Sequence, residues 1–177
     1  RLAHRGPNGD RFHIEPGVGL AHKRLAIIDL ATGEQPIYNE DRRVAIVFNG
    51  EIYNYRDLTR ELSALGHVFT TQTDTEAIVH AWEEWGPNCV QRLRGMFAFA
   101  IFDRNRQCLF LARDRLGIKP LYYAKIGRYL AFASELKALL ATGEIEKQFD
   151  LTAVDEYFSF GYVPDPKTIY RGVAKLP

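Results

Sequence analysis

Apolar side chains recur at strand spacing from Gly17 to Asp29: Val18, Leu20, Leu25, Ile27 and Ile28 supply the apolar side, and His22, Lys23 and Arg24 form a basic interruption. Residues 1–16 are polar, Gly- and Pro-containing, and read as a loop entering a strand near Arg11–Ile14; Leu30–Pro36 reads as another loop. Val44–Phe48 is an unbroken apolar run that predicts a buried strand ending where Asn49-Gly50 begins. Leu58, Leu62 and Leu65 fall at i, i+4 and i+7, which predicts a helix over Tyr55–Leu65, with Asn54 or its neighbour as cap and Gly66 as terminator. A short strand is expected at Val68–Thr71. Thr73 with Glu76 three residues on is a capping-box pattern, and Ala77, Ile78, Ala81, Trp82 and Trp85 make an apolar stripe up to Gly86. Asp74 therefore belongs to the first turn of a helix.

Beyond a short helix expected around Val90–Leu93, the pattern turns to strands: Met96–Phe102, Cys108–Arg113, Leu121–Ala124 and Tyr129–Ala133, four sequential antiparallel segments. Helices are predicted over 135–142 and 152–160. Residues 1–160 are expected to form one domain, and 161–177, with Pro164, Pro166 and Pro177, an extended arm or linker. Strands mixed with paired helices, without a regular strand–helix–strand rhythm, point to an α+β fold of antiparallel sheets covered by helices.

Composition narrows the picture. At 177 residues, 46% hydrophobic, the chain can fill one core. A net charge of +1, from 23 basic and 22 acidic residues interspersed, argues for neither a nucleic-acid partner nor an anionic membrane. The longest apolar run, Met96–Phe102, is far short of the roughly 20 residues of a membrane span, and no signal-peptide pattern opens the chain, so a cytoplasmic protein is expected. Cys89 and Cys108 have no second Cys or His at ligand spacing; each reads as a small buried hydrophobe, and no metal centre is expected. No Gly-rich phosphate loop supports nucleotide binding. The first Met is Met96, and a chain opening in mid-loop reads as a fragment or processed product.

Three stretches join a reactive residue type to an element boundary: Arg24, Asn49-Gly50-Glu51, and Asp74 beside its helix cap. Together they hold what a free amino acid with an amide side chain requires. Arg24 can pair an α-carboxylate through two parallel bonds, Asp74 with Glu51 can hold an α-ammonium, and Asn49 with the Gly50 N–H can stabilise the oxyanion formed when the amide is attacked. Singly, each has a plainer reading: a surface arginine, a β-turn, a helix cap. Their joint occurrence is what favours chemistry.

The motifs His4-Arg5-Gly6-Pro7, Arg24–Asp29, Phe48-Asn49-Gly50-Glu51-Ile52-Tyr53-Asn54, Thr73-Asp74-Thr75-Glu76, Gly95–Ala100, Ala112-Arg113-Asp114-Arg115, Gly117–Tyr123 and Phe132-Ala133-Ser134-Glu135 follow one another along nearly the whole chain. In that order they resemble the N-terminal class II glutamine amidotransferase domain of glutamine-hydrolysing asparagine synthetases. The resemblance implies a four-layer αββα sandwich of the Ntn-hydrolase type, two antiparallel sheets between helices, with its first strand missing here. It assigns L-glutamine binding to Arg24, Ile27, Asn49, Gly50, Glu51 and Asp74, with Asn49 and Gly50 as the oxyanion hole. It further implies an N-terminal Cys nucleophile whose α-amine is the base, and ammonia passed to a C-terminal synthetase domain that uses ATP and Mg²⁺ to amidate a carboxylate such as aspartate. No cofactor is implied for the domain itself. The sequence departs from the family in lacking that Cys and its strand, in Asn8 where Asp is usual, and in stopping near the expected linker. The chain alone is accordingly expected to be inactive and to dimerise or aggregate through the exposed sheet edge. The other reading is a non-catalytic, degenerate binding or scaffold domain, as in β-lactam synthetase relatives.

Overall fold

The computed structural model describes residues 4, 6, 9–23 and 33–177. Strands β1 (Asp10–Glu15) and β2 (Val18–Lys23) form an antiparallel hairpin. Strands β3 (Ile37–Tyr38), β4 (Val44–Ile52), β5 (Gly95–Asp103) and β6 (Cys108–Arg113) make a four-stranded antiparallel sheet in that order. A third sheet has the order β8 (Tyr129–Ala133), β7 (Tyr122–Ile126), β9 (Val173–Lys175). Helices α1 (Tyr55–Ala64) and α2 (Asp74–Trp85) connect β4 to β5, followed by a 3-10 turn at Gly86–Gln91; α3 (Leu136–Leu140) and α4 (Leu151–Phe160) lie between β8 and β9.

The period of two along β4 separates the layers. Val44, Ile46, Phe48 and Ile52 face α1 and α2, where they bury against Leu58, Leu62, Ile78 and Trp82. Ala45 and Val47 face the other way and pack with Leu20 of β2 and Phe132 of β8. The outer side of β7 and β8 is covered by Leu136 and Leu139 of α3. Helices, sheet, sheets and helix are thus stacked as αββα, and the α+β sandwich expected from the motifs is the fold.

Several elements differ from their sequence expectation. β4 does not stop at Phe48: Asn49, Gly50, Glu51 and Ile52 continue the ladder opposite Ala98, Phe97, Met96 and Gly95. Asn49-Gly50 is therefore strand, not a strand-end turn. A Cβ at Gly50 would collide with the Met96 carbonyl oxygen and stand 2.8 Å from Phe97 Cα; one at Gly95 would collide with the Glu51 carbonyl oxygen. Both glycines are there so that the two backbones can close up. Val68–Thr71 forms no strand, because the Glu76 carboxylate takes its backbone N–H groups at Thr70 (2.7 Å) and Thr71 (2.6 Å). Thr73 does cap α2, its hydroxyl accepting from Glu76 N at 3.2 Å, but Asn54 makes no such cap bond. Instead Asn54 Oδ1 accepts from Arg94 N and its Nδ2 donates to the Arg92 carbonyl. The four late strands divide between two sheets, β5-β6 and β7-β8. The short helix expected around Val90–Leu93 is the 3-10 turn that begins at Gly86. Within the stretch read as an extended arm, Val173–Lys175 folds back as β9 against β7.

Candidate functional site

β3 pairs with only Ala45 and Ile46 of β4, so among the described residues the far half of that β4 edge has no strand beside it. Its N–H groups are met by side chains. Phe48 N–H donates to Gln35 Oε1 at 2.6 Å, and Ile52 N–H donates to Asp74 Oδ2 at 3.0 Å. Backbone alternation turns the Gly50 N–H to the same edge, between these two. Gln35 also donates from Nε2 to Thr75 Oγ1 at 3.3 Å, tying the edge to the start of α2.

Asn49 lies on the β4 face that looks toward the second sheet layer. Its Nδ2 is buried and has no hydrogen-bond partner among the described residues. An amide donor left so costs about 1–3 kcal/mol, which a ligand oxygen placed there would recover. Asp74, the first residue of α2, is 5% exposed. Burial pushes its carboxyl up; bonds from the Ile52, Thr75 and Asp74 N–H groups oppose this, and the Glu51 charge nearby adds to it. Two carboxylates, one of them poorly solvated, favour a cation between or beside them.

The fold therefore puts the Gly50 N–H and Asp74 on one edge, with the Asn49 and Glu51 side chains on the adjoining face of the same strand. Arg24 and Ile27 lie outside the described residues. Gln35, in a loop, was not singled out from the sequence: its role depends on a contact 13 residues away, for which a lone Gln before Pro36 gives no signal.

Two of the ordered motifs meet elsewhere: His4 Nε2 is 2.9 Å from Glu135 Oε1. Others support the strand opposite Gly50. Asp114 Oδ2 accepts from Phe97 N (3.1 Å) and Lys119 N (3.0 Å), and its Oδ1 accepts from Ile118 N (2.9 Å). Neither cysteine has the environment of a nucleophile. Cys89 is fully buried, and burial pushes its thiol up to about 12. Cys108 sits in β6 with its neighbours Phe110 and Ala112 in the core beneath α2.

The four-layer αββα sandwich of antiparallel sheets between helices defines the class: an Ntn-hydrolase-like fold. The chain belongs to the glutamine amidotransferase domain family, whose model matches residues 1–177. It is 43% identical over 179 residues to asparagine synthetase [glutamine-hydrolyzing] 3 of Bacillus subtilis, covering 99% of this chain and 29% of that protein. It is 44% identical to asparagine synthetase [glutamine-hydrolyzing] 1 of the same organism, with 99% and 28% covered. Among solved structures, the glutamine phosphoribosylpyrophosphate amidotransferase from B. subtilis, complexed with ADP and GMP, matches with a TM-score of 0.58 at 26% identity, over 71% of this chain and 29% of that one. The chain thus spans less than a third of the length of these relatives. No helix among the described residues is long and apolar enough to cross a membrane.

Proposed function

We propose that this chain is the glutamine-binding, ammonia-releasing part of an asparagine-synthetase-like enzyme. The observation that carries the reading is the buried Asn49 Nδ2, unpartnered among the described residues, beside the edge-facing Gly50 N–H. Two donors fixed on a strand are preorganised for an oxygen that becomes negative, and they need no reorganisation when the charge develops. In this reading the side-chain amide carbonyl of glutamine sits at these donors. Asp74, with Glu51, takes the α-ammonium, and Arg24 takes the α-carboxylate with backbone groups around Ile27 assisting. The poorly solvated Asp74 carboxyl supports that role, since burial disfavours its charged form and an ammonium beside it offsets that cost.

Attack on the amide carbon forms a tetrahedral adduct, whose collapse expels ammonia and leaves a glutamyl thioester that water cleaves. The nucleophile of this scheme is a cysteine with a free α-amine, which neither Cys89 nor Cys108 can provide; the 177 residues alone are accordingly expected to bind glutamine without turning it over. Transfer of ammonia to a carboxylate such as aspartate, with ATP and Mg²⁺, belongs in this reading to a C-terminal synthetase portion, since the relatives are more than three times as long as this chain's share of them.

The test is glutamine hydrolysis by the enzyme that contains this chain. Asn49→Ala is expected to lower kcat by ~10²–10³ with glutamine affinity largely kept, as for removal of one oxyanion donor. Arg24→Ala is expected to raise KM for glutamine. Unchanged kcat in the first would remove Asn49 from the oxyanion role. Absence of any glutamine binding to the parent chain by calorimetry would favour the scaffold reading instead.

A further inference from the structure

At the Val44 end of β4, opposite the end that carries Asn49-Gly50, a second group of polar side chains converges. It is built from the turn after β3, the connection from α1 to α2, and α2 itself. Cysteine spacing predicted no metal centre, but these residues are histidines and glutamates that the fold alone brings together.

Ligand-type atoms of Glu40, His67 and His80 lie within 4.8 Å of one another. His80 Nδ1 is 3.0 Å from Glu83 Oε2 and 3.9 Å from Glu40 Oε2, and His67 Nδ1 is 3.8 Å from the same Glu83 oxygen. Four donors arranged tetrahedrally around Zn²⁺ at its usual ligand distances stand roughly 3.3–3.4 Å from one another. The three separations of 3.0, 3.8 and 3.9 Å bracket that spacing; Glu40, His67 and His80 have donors all within 4.8 Å of one another, and Glu83 joins them through its contacts to His67 and His80.

The remaining atom of each side chain is already engaged or enclosed. Val68 N–H donates to Glu40 Oε1 at 3.2 Å, and Asn39 Nδ2 donates to Glu83 Oε1 at 2.6 Å. His67 Nε2 lies 3.4 Å from Glu84 Oε2. His80, 1% exposed, has a buried Nε2 with no hydrogen-bond partner among the described residues, and that atom faces Glu76 Oε1 at 3.8 Å. An imidazole that binds metal through one nitrogen while the other faces a carboxylate is the usual arrangement around metal centres, and so is a ligating carboxylate whose second oxygen accepts a protein hydrogen bond. A protonated His80 would account for Glu83 and also attract Glu40, 3.9 Å away. It leaves unexplained why the half-buried His67 brings a second imidazole nitrogen to 3.8 Å from the same Glu83 oxygen.

We propose that Glu40, His67, His80 and Glu83 form a site for one divalent transition-metal ion of the Zn²⁺ type, closed by four protein ligands. Such an ion clips the β3–β4 turn and the α1–α2 connection onto α2. Two imidazoles with two carboxylates suit Zn²⁺ or Co²⁺ better than Mg²⁺ or Ca²⁺, which prefer all-oxygen shells.

The experiment uses protein freed of metal with a chelator and then titrated with Zn²⁺ by calorimetry and with Co²⁺ by visible absorption. The expected result is one equivalent bound, with the intense bands of four-coordinate Co²⁺, and a thermal midpoint that rises with Zn²⁺. Glu40→Gln and His67→Ala are each expected to weaken Kd at least tenfold and to remove the thermal shift, whereas His4→Ala, at an exposed histidine elsewhere, leaves both intact. Glu40 is exposed in a turn, so its variant keeps the fold, which far-UV circular dichroism checks. No binding at micromolar metal, a six-coordinate Co²⁺ spectrum, or equal affinity in the parent and the Glu40→Gln variant would overturn the proposal.

Discussion

Asp114 acts on the Asn49–Gly50 segment through β5, the strand that runs opposite it: its carboxylate accepts from the N–H of Phe97, the residue paired with Gly50. Three backbone N–H groups, from Phe97, Ile118 and Lys119, converge on its two oxygens, and the side chain is 5% exposed. Burial on its own would raise the carboxyl; the bonds from Lys119, Ile118 and Phe97 outweigh it, and the group is held below its ordinary 3.8. A carboxylate with a depressed folded value contributes stability that is fully present above its unfolded value and lost as pH falls below it. Asp114→Asn keeps the shape but turns an NH₂ toward N–H donors, leaving at least one unpaired. The expected cost is about 1–3 kcal/mol at neutral pH, with a shallower loss of stability below pH ~4 than in the parent. Urea unfolding across that pH range checks both parts, and parallel acid limbs would assign the acid sensitivity to another carboxylate.

Strand β4 shows what an element owes to its partner rather than to its own residues. The apolar run ends at Phe48, and nothing local in Asn49-Gly50-Glu51 favours a strand, since Asn and Gly are depleted there. The ladder continues because Gly95 and Met96 of β5 come up against Glu51 and Gly50, a match between segments more than 40 residues apart. The converse holds at Val68–Thr71, whose composition favours a strand but which has no partner; Glu76 satisfies its backbone instead. The candidate site was legible to the same extent. Asn49, Gly50, Glu51 and Asp74 could be chosen by chemical type, whereas their meeting at one segment of β4, and Gln35 beside it, depend on tertiary contact. Gly50→Ala is expected to force the two backbones apart and to cost about 1–3 kcal/mol, the usual range for overpacking. Gly50 faces Met96–Phe97 and Gly95 faces Glu51–Ile52, neighbouring contacts of the same two backbones, so strands already parted by one substitution make the second cheaper and the Gly50→Ala, Gly95→Ala double variant should cost less than the sum of the singles. Additive losses by urea unfolding would mean that each strand contact yields locally, without parting the two backbones at the other.

At the scale of the whole molecule the question is what binds the two sheet layers and the C-terminal stretch into one body. Arg113, at the end of β6 in the first layer, has a side chain only 8% exposed and reaches the loop that leads to β7 and the C-terminal stretch on either side of β9. Its guanidinium donates to the Lys119 carbonyl (3.0 Å), the Gly117 carbonyl (2.7 Å), the Leu176 carbonyl (2.8 Å) and Asp165 Oδ2 (2.8 Å). Lys175 Nζ holds the other Asp165 oxygen at 2.9 Å. A Cβ at Gly117 would run into the guanidinium, so the turn is shaped around it. The stretch 161–177, whose prolines suggested a free arm, is thus held at Asp165, at Leu176 and by the three residues of β9. Arg113→Lys keeps the charge but replaces a planar fork of five donors by one ammonium, which cannot meet four acceptors lying in different directions. Leaving two or three of those acceptors unpaired is expected to cost about 2–4 kcal/mol, most of it in release of the C-terminal stretch. Proteolysis of a locally opened segment follows its opening free energy when opening and closing are fast, so cleavage by trypsin at Arg171 or Lys175 should accelerate tenfold or more, ahead of any loss of the β4–β5 core. An unchanged cleavage rate in Arg113→Lys would mean that β9 pairing and the Lys175–Asp165 contact hold the stretch without the arginine.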